Sequence, residues 1–214
     1  MSDFHSTSSE QAVAARLILV LGGARSGKST FAERLAGSLG QPVAFIATAT
    51  PDDEEMRERI ARHRALRPKG WQTLEEPLDL AGAVRRAAEL ADVVLLDCVT
   101  LWLSNILLQA AGPREKHVED RPEPDTTNEL FDARALKECE ALLTAVKSLG
   151  PNKTLIAVTN EVGLGIVPAY PLGRLYRDTL GYINQRLAQT AERVYLLVAG
   201  LAVDLKRLHE EASL

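Results

Sequence analysis

Gly22-Gly23-Ala24-Arg25-Ser26-Gly27-Lys28-Ser29 decides the fold. Glycine, four residues, then Gly-Lys-Ser is the P-loop pattern. Before it, Leu17-Ile18-Leu19-Val20-Leu21 is an unbroken apolar run, as expected of a strand buried on both faces. After it, Phe31, Ala32, Leu35, Ala36 and Leu39 recur at helical spacing. Strand, glycine loop and helix thus come in the order that a phosphate cradle needs. Glycines let the backbone wrap a phosphate closely, and the positive end of the helix adds to the field of the loop N–H groups. In such a cradle Lys28 neutralises the β and γ oxygens, and the Ser29 hydroxyl is placed to ligate Mg2+.

Working outward, Val43-Ala44-Phe45-Ile46-Ala47 reads as a second strand. Thr50 and Pro51 predict a capped helix start, and the helix is expected over about residues 51–66. Its first turn is acidic (Asp52, Asp53, Glu54, Glu55) and its end basic (Arg62, Arg64, Arg67, Lys69), which suits the helix dipole. Met56, Ile60, His63 and Arg67 share one face. Taken alone, His63 is a histidine at the edge of a core. The surrounding Arg59, Arg62, Arg64 and Arg67 suit a triphosphate as well as a solvated face.

Gly70-Trp71 breaks the pattern, and Glu75-Glu76-Pro77 leads into a third helix. Val93-Val94-Leu95-Leu96-Asp97 is an apolar strand ending in a carboxylate; beside the P-loop strand, Asp97 is placed to hold Mg2+. Leu101 to Leu108 predicts an apolar helix with one isolated polar residue, Asn105, suited to core packing or to a subunit contact. Residues 111–128 hold Pro113, Pro122, Pro124 and many charges, and predict a mobile polar loop. A helix is expected from about Glu129 to Leu149 with Leu136, Cys139, Leu143 and Val146 inward. Thr154 to Thr159 reads as a buried strand running into Asn160-Glu161-Val162-Gly163, a loop facing the crevice, where Glu161 is a candidate base by position alone. A helix over about 173–192, a strand over 194–199, a short antiparallel edge strand over 201–205 and a frayed tail complete the chain.

The bulk numbers exclude several classes. The 214 residues are 46% hydrophobic and 25% charged, ordinary for one soluble domain with a sizeable core. A net charge of −4 argues against a general nucleic-acid surface. No apolar run approaches the length of a membrane span. Residues 1–16 lack a signal-peptide core and read as a disordered lead-in. Cys98 and Cys139 lie far apart in apolar patterns, as expected of buried thiols in a reducing cytoplasm. The expected domains are the lead-in at 1–16, one α/β domain over 17–205 with its loop at 111–128, and the tail at 206–214.

Three P-loop classes compete. A regulatory GTPase should carry an Asn/Thr-Lys-x-Asp segment; Asn152-Lys153-Thr154-Leu155 has leucine in place of the aspartate and precedes its strand. A motor ATPase needs a larger chain or a nucleic-acid surface. A small-molecule kinase fits the length, although the P-loop names no acceptor.

Further segments narrow this. With the P-loop, Arg59-Ile60-Ala61-Arg62-His63-Arg64, Arg67-Pro68, Trp71, Leu95-Leu96-Asp97-Cys98-Val99-Thr100, Thr159-Asn160-Glu161-Val162-Gly163-Leu164-Gly165-Ile166-Val167-Pro168 and Asn184-Gln185-Arg186-Leu187-Ala188 occur in order. Over about residues 17–204 the chain resembles the bifunctional adenosylcobinamide kinase/adenosylcobinamide-phosphate guanylyltransferases of cobalamin biosynthesis. Some relatives carry Glu where Asp97 stands; either carboxylate serves Mg2+. The resemblance implies an α/β fold of the P-loop NTPase (RecA-like) class, a mostly parallel sheet with helices on both faces. It implies that His63 attacks the α-phosphate of GTP and carries GMP as a phosphoramidate, a role that imidazole suits as nucleophile and leaving group. It also implies a nucleotide site built from Gly22, Gly23, Ala24, Arg25, Ser26, Gly27, Lys28, Ser29 and Thr30, with Thr48, Ala49 and Thr50, with Leu66, Arg67, Pro68 and Lys69, and with Asp97. Glu75 or Glu76 would read guanine. Lys28 and His63 would be catalytic, and Ser29 and Asp97 would hold Mg2+. The substrates implied are a corrinoid, GTP and ATP, in a cytoplasmic homotrimer. A P-loop kinase without guanylyl transfer is the alternative.

Overall fold

The computed structural model describes residues 16–40, 42–51, 54–111 and 124–212. Seven strands form one sheet: β1 (Arg16–Gly22), β2 (Val43–Ala47), β3 (Gln72–Glu75), β4 (Val93–Asp97), β5 (Thr154–Asn160), β6 (Arg193–Val198) and β7 (Leu201–Asp204). Their order is β3-β2-β4-β5-β1-β6-β7. All pairings are parallel except β6 with β7, which are antiparallel. Between them run α1 (Lys28–Leu39), α2 (Glu54–Leu66), α3 (Leu80–Leu90), α4 (Val99–Ala111), α5 (Pro124–Lys147), α6 (Pro171–Thr190) and α7 (Leu205–Ala212).

The central strands read as apolar runs because both faces are covered. Alternate residues of β1 go to opposite sides: Leu17, Leu19 and Leu21 join the larger core with α3, α4, α5 and α6, while Ile18 and Val20 join a smaller one with Ala32 and Ala36 of α1. The apolar stripe of α4 is core, not an outer surface: Trp102 and Leu103 are fully buried, and only Leu108 is substantially exposed. Asn105 is explained too. Its side-chain amide donates to the carbonyls of Thr48 (2.8 Å) and Pro77 (3.1 Å), tying the end of β2 to the approach to α3.

Several expectations need correction. β4 is not beside the P-loop strand; β5 lies between them. β3 was not anticipated, because a four-residue edge strand reading Gln-Thr-Leu-Glu carries almost no apolar signal. α2 begins at Glu54; Pro51 is outside it, and Asp52 and Asp53 lie outside the described residues. α5 begins at Pro124, where proline is tolerated in a first turn. Leu136 is 37% exposed, one residue off the inward face of Phe131, Ala135 and Cys139. Where a frayed tail was expected, α7 continues to residue 212, with Arg207 N–H donating to the side chain of Asp204 (3.3 Å) and Arg207 paired one turn on with Glu211 (2.9 Å). Arg16, expected in the lead-in, opens β1, while residues 1–15, 112–123 and 213–214, which include the rest of the lead-in and most of the polar loop, lie outside the described residues. Burial pushes the thiols of Cys98 and Cys139 up to about 12, so both are inert. The architecture is α/β, a mostly parallel sheet with helices on both faces and the P-loop following β1.

Candidate active site

The parallel pairing brings the carboxyl ends of the strands to one edge. In register, Gly22 sits opposite Asn160, and Ala47 opposite both Glu75 and Asp97. Ligands of open α/β sheets bind at this edge. A cleft of about 750 Å³ opens here.

The phosphate cradle is built on tight backbone. A Cβ on Gly22 would lie 2.6 Å from Ser26 Oγ and 2.7 Å from the Leu197 carbonyl oxygen. Gly27 has φ +93°, a conformation that only glycine takes without strain. The loop is also propped from behind: in the β6–β7 turn, Gly200 N–H donates to the Ser26 carbonyl at 2.9 Å. Lys28 Nζ donates to the Gly23 carbonyl at 3.2 Å, folding the side chain over its own loop. On the far side of the loop, Glu161 N–H donates to the Gly22 carbonyl at 3.2 Å.

Ala24, Arg25, Lys28 and Ser29 line the cleft from the loop, Ala49 from the end of β2, and Glu75, Asp97 and Asn160 from the ends of β3, β4 and β5. From α2 come Arg62, His63 and Arg64, with Arg67 just beyond it. His63 is exposed to solvent and shares the cleft with Lys28. The side chains of Arg59 and Leu66 lie outside the described residues.

Other expected site residues stand elsewhere. Thr48 is fully buried, donating to the Cys98 carbonyl (2.8 Å) and accepting its N–H (2.9 Å), so its hydroxyl braces β2 against β4 behind the cleft. Thr50 lines a separate hollow with Pro77 and Asn105. Thr30, Pro68 and Lys69 are exposed without lining the cleft. Glu76 turns away: its carboxylate accepts from Leu78 N–H (3.2 Å), Asp79 N–H (3.0 Å) and Arg86 (3.0 Å). Glu75 faces the cleft, paired with Arg64. Glu161 folds its carboxylate onto Gly163 N–H at 2.7 Å, within its own loop.

Electrostatics favour a polyanion. Arg25, Lys28, Arg62, Arg64 and Arg67 face only Glu58, Glu75 and Asp97, so the cleft is basic on a protein of net charge −4. The Arg67 guanidinium lies 3.6 Å from the centroid of the Phe45 ring and donates to Thr73 Oγ1 at 3.0 Å. Its Nε is buried without a partner. A half-buried guanidinium with one unsatisfied buried N–H keeps donor capacity for a ligand anion. Burial pushes the Asp97 carboxyl above the usual carboxylate range, opposed by the Ser29 hydrogen bond and by His63, Lys28 and Arg67.

Sequence reasoning missed several residues. Glu33 sits one turn beyond Ser29 on α1; burial and then Asp97 raise its carboxyl, while His63 and Arg67 pull it down. The i, i+4 spacing from Ser29 was the available signal. Asn184 appeared only as part of a matched segment. It is buried, accepting from Thr159 Oγ1 (2.9 Å) and donating to the Asn160 carbonyl (3.0 Å). Thr100 accepts Asn160 N–H at 2.8 Å, so the end of β5 is held from two helices.

Ser29 and Asp97 offer a hydroxyl and a carboxylate at the cleft floor. These hard oxygen donors fit Mg2+, which takes one or two protein ligands and completes its shell with phosphates and water. Among the described residues no group of three or more His, Cys, Asp or Glu side chains forms an all-protein metal cage.

The chain is similar to known proteins over most of its length. The family described as cobinamide kinase / cobinamide phosphate guanyltransferase matches residues 18–205. The chain is 47% identical over 188 residues to a bifunctional adenosylcobalamin biosynthesis protein, CobP, of Pseudomonas aeruginosa, covering 88% of this chain and 96% of that one. It is 40% identical over 191 residues to the CobU protein of Escherichia coli, also named bifunctional, covering 89% and 99%. The corresponding CobU protein of Salmonella typhimurium is 39% identical over 190 residues, covering 89% and 99%.

Proposed function

The chain belongs to the cobinamide kinase / cobinamide phosphate guanyltransferase family, and from that premise we propose how its cleft performs the two reactions. The protein is a bifunctional enzyme of cobalamin biosynthesis. It phosphorylates the aminopropanol hydroxyl of adenosylcobinamide, then transfers GMP to the resulting phosphate to give adenosylcobinamide-GDP.

In the kinase step a nucleoside triphosphate, GTP or ATP, lies in the cradle from Gly22 to Thr30. Lys28 and the loop N–H groups hold the β and γ phosphates in place, because positioning and charge neutralisation supply most of phosphoryl-transfer catalysis. Ser29 and Asp97 would hold Mg2+, which supplies charge neutralisation at the phosphates when bound. In the transferase step His63 attacks the α-phosphate of GTP and pyrophosphate leaves. Arg62, Arg64 and Arg67 screen the charge of the triphosphate as the imidazole approaches. The phosphate of the corrinoid then takes GMP from the phosphoramidate. Glu75, not Glu76, offers its carboxylate to the guanine N–H groups. The single observation that supports this scheme most is that His63 and Lys28 line one basic cleft.

We further propose a homotrimer, with residues 17–205 as one catalytic domain. Among the described residues no helix is long and apolar enough to cross a membrane, and a cytoplasmic location is proposed with it. The test is incubation with α-labelled GTP. A covalent, acid-labile and alkali-stable label that disappears in His63→Ala while most kinase activity stays is the expected result. Equal loss of both activities would remove the separate role of His63.

A further inference from the structure

The loop that leaves the cleft after Asn160 is unlike the rest of the rim. Residues 162–173 contain no charged side chain. Leu164 is 85% exposed, Ile166 96%, Val167 60% and Tyr170 66%. A contiguous apolar surface of this kind marks an interaction site on a soluble protein.

The loop is held in shape. Arg174 Nη1 donates to the carbonyls of Pro168 (3.0 Å) and Ala169 (2.7 Å). A Cβ on Gly173 would lie 2.7 Å from the Tyr170 ring and 2.8 Å from Pro168, so glycine there lets the loop close on itself. At its root, Glu161 N–H is bonded to the P-loop at Gly22, and Asn160 lines the cleft. Leu164 and Ile166 gain almost nothing from packing, yet the loop that carries them is rooted beside the phosphate cradle.

We propose that residues 162–173 are the platform on which the corrinoid body of the acceptor rests while its hydroxyl, and later its phosphate, enters the cleft. This deepens the function proposed above and rests on it. Three considerations select this occupant. A cleft of about 750 Å³ is of the size that one drug-sized ligand fills, and the function proposed above assigns it to the nucleoside triphosphate. The corrinoid body must therefore lie outside, against a rim. The α2 rim is basic and committed to phosphate; the uncharged rim is the one that matches a broad, largely apolar macrocycle fringed with neutral amides. Both reactions share the same acceptor body, so one platform beside one cleft serves both.

The experiment compares wild type with the double variant Leu164→Ser/Ile166→Ser. Both side chains are almost fully exposed, so the fold loses no packing. The expected result is a KM for adenosylcobinamide raised about tenfold or more. The KM for GTP, the yield of covalent GMP-enzyme and the molar mass by light scattering should be unchanged. Leu164→Met/Ile166→Leu should keep the wild-type KM. An unchanged acceptor KM in the serine variant overturns the platform. So does a changed molar mass, which would assign the loop to contact between copies of the chain. A wild-type enzyme that forms neither corrinoid product overturns the function itself; an active enzyme with an indifferent loop overturns only the platform.

Discussion

Replacing Glu75 and Glu76 one at a time separates reading the base from holding the fold. Glu76 accepts two backbone N–H groups ahead of α3 and one guanidinium hydrogen bond, and its side chain is only 21% exposed. Losing a cap-like acceptor costs about 1 kcal/mol and up to about 2, and a partly exposed ion pair adds roughly 0.2–1. Glu76→Ala should therefore cost about 1–3 kcal/mol. At roughly 2–4 °C per kcal/mol for a chain of this size, the melting temperature falls by roughly 2–12 °C. Glu75 makes one ion pair, with Arg64, and its side chain is 59% exposed. Its removal should move stability by no more than about 1 kcal/mol. If its carboxylate accepts from guanine N1–H and N2–H, losing those charge-assisted bonds costs roughly 1.5–3 kcal/mol of binding, or about 10- to 150-fold in affinity. The assay pairs thermal melts with the GTP dependence of GMP-enzyme formation, repeated with inosine triphosphate, which lacks the N2 amine. Glu75→Ala should melt normally, need far more GTP, and lose the preference for GTP over inosine triphosphate. If instead Glu76→Ala carries the affinity loss with an unchanged melt, the assignment of the two carboxylates is wrong.

Three further outcomes are expected. Burial raises the Asp97 carboxyl above its unfolded value, so its ionised form opposes folding at neutral pH, and the cost fades as pH falls through the raised value. Asp97→Asn should therefore melt a few degrees above wild type at pH 8, with the gap closing in acid and phosphoryl transfer lost; a melt at or below wild type refutes this. Gly22→Ala places a Cβ 2.7 Å from a backbone carbonyl, an overpacking worth about 1–3 kcal/mol, and nucleotide titration should show weakened binding; wild-type affinity would contradict the tightness of the cradle. Asn184→Ala leaves the buried Thr159 hydroxyl and Asn160 carbonyl without their partner, costing roughly 1–3 kcal/mol, and a denaturant melt with an unchanged midpoint would show that the network is idle.

What was legible in the sequence followed signal strength. The five central strands announce themselves as apolar runs because each is covered on both faces. β7 was readable from its place after a tight turn. β3 and α7 were not: β3 is a four-residue edge strand with little apolar signal, and α7, although Leu205 and Leu208 share a helix face, is short and holds no fully buried residue. The order of the strands was out of reach as well. Nothing local to Asp97 says that β5 separates it from the P-loop, because topology is a property of pairing between distant segments. At the site, Lys28, Ser29 and Asp97 were found from motif geometry, and His63 became a candidate nucleophile only through resemblance. Thr48 and Glu76 were expected as ligand contacts through the family resemblance. Their side chains are instead occupied by Cys98 and by the approach to α3, competition that spacing alone does not reveal. Glu33 was overlooked because a glutamate on a helix after a P-loop is usually solvated.

The strand bearing the phosphate cradle precedes the other six described strands in the chain, yet its two neighbours, β5 and β6, are among the later ones. The prop beneath the cradle, Gly200, lies close to the end of the described chain. A nascent polypeptide thus carries an unmated, strongly apolar β1 until β5 and β6 have been made. Such delayed, long-range pairing makes folding slow and exposes the chain to aggregation. The cradle is propped only once β6 and its turn at Gly200 have been made, so a fragment that stops before β5 lacks both neighbours of the P-loop strand.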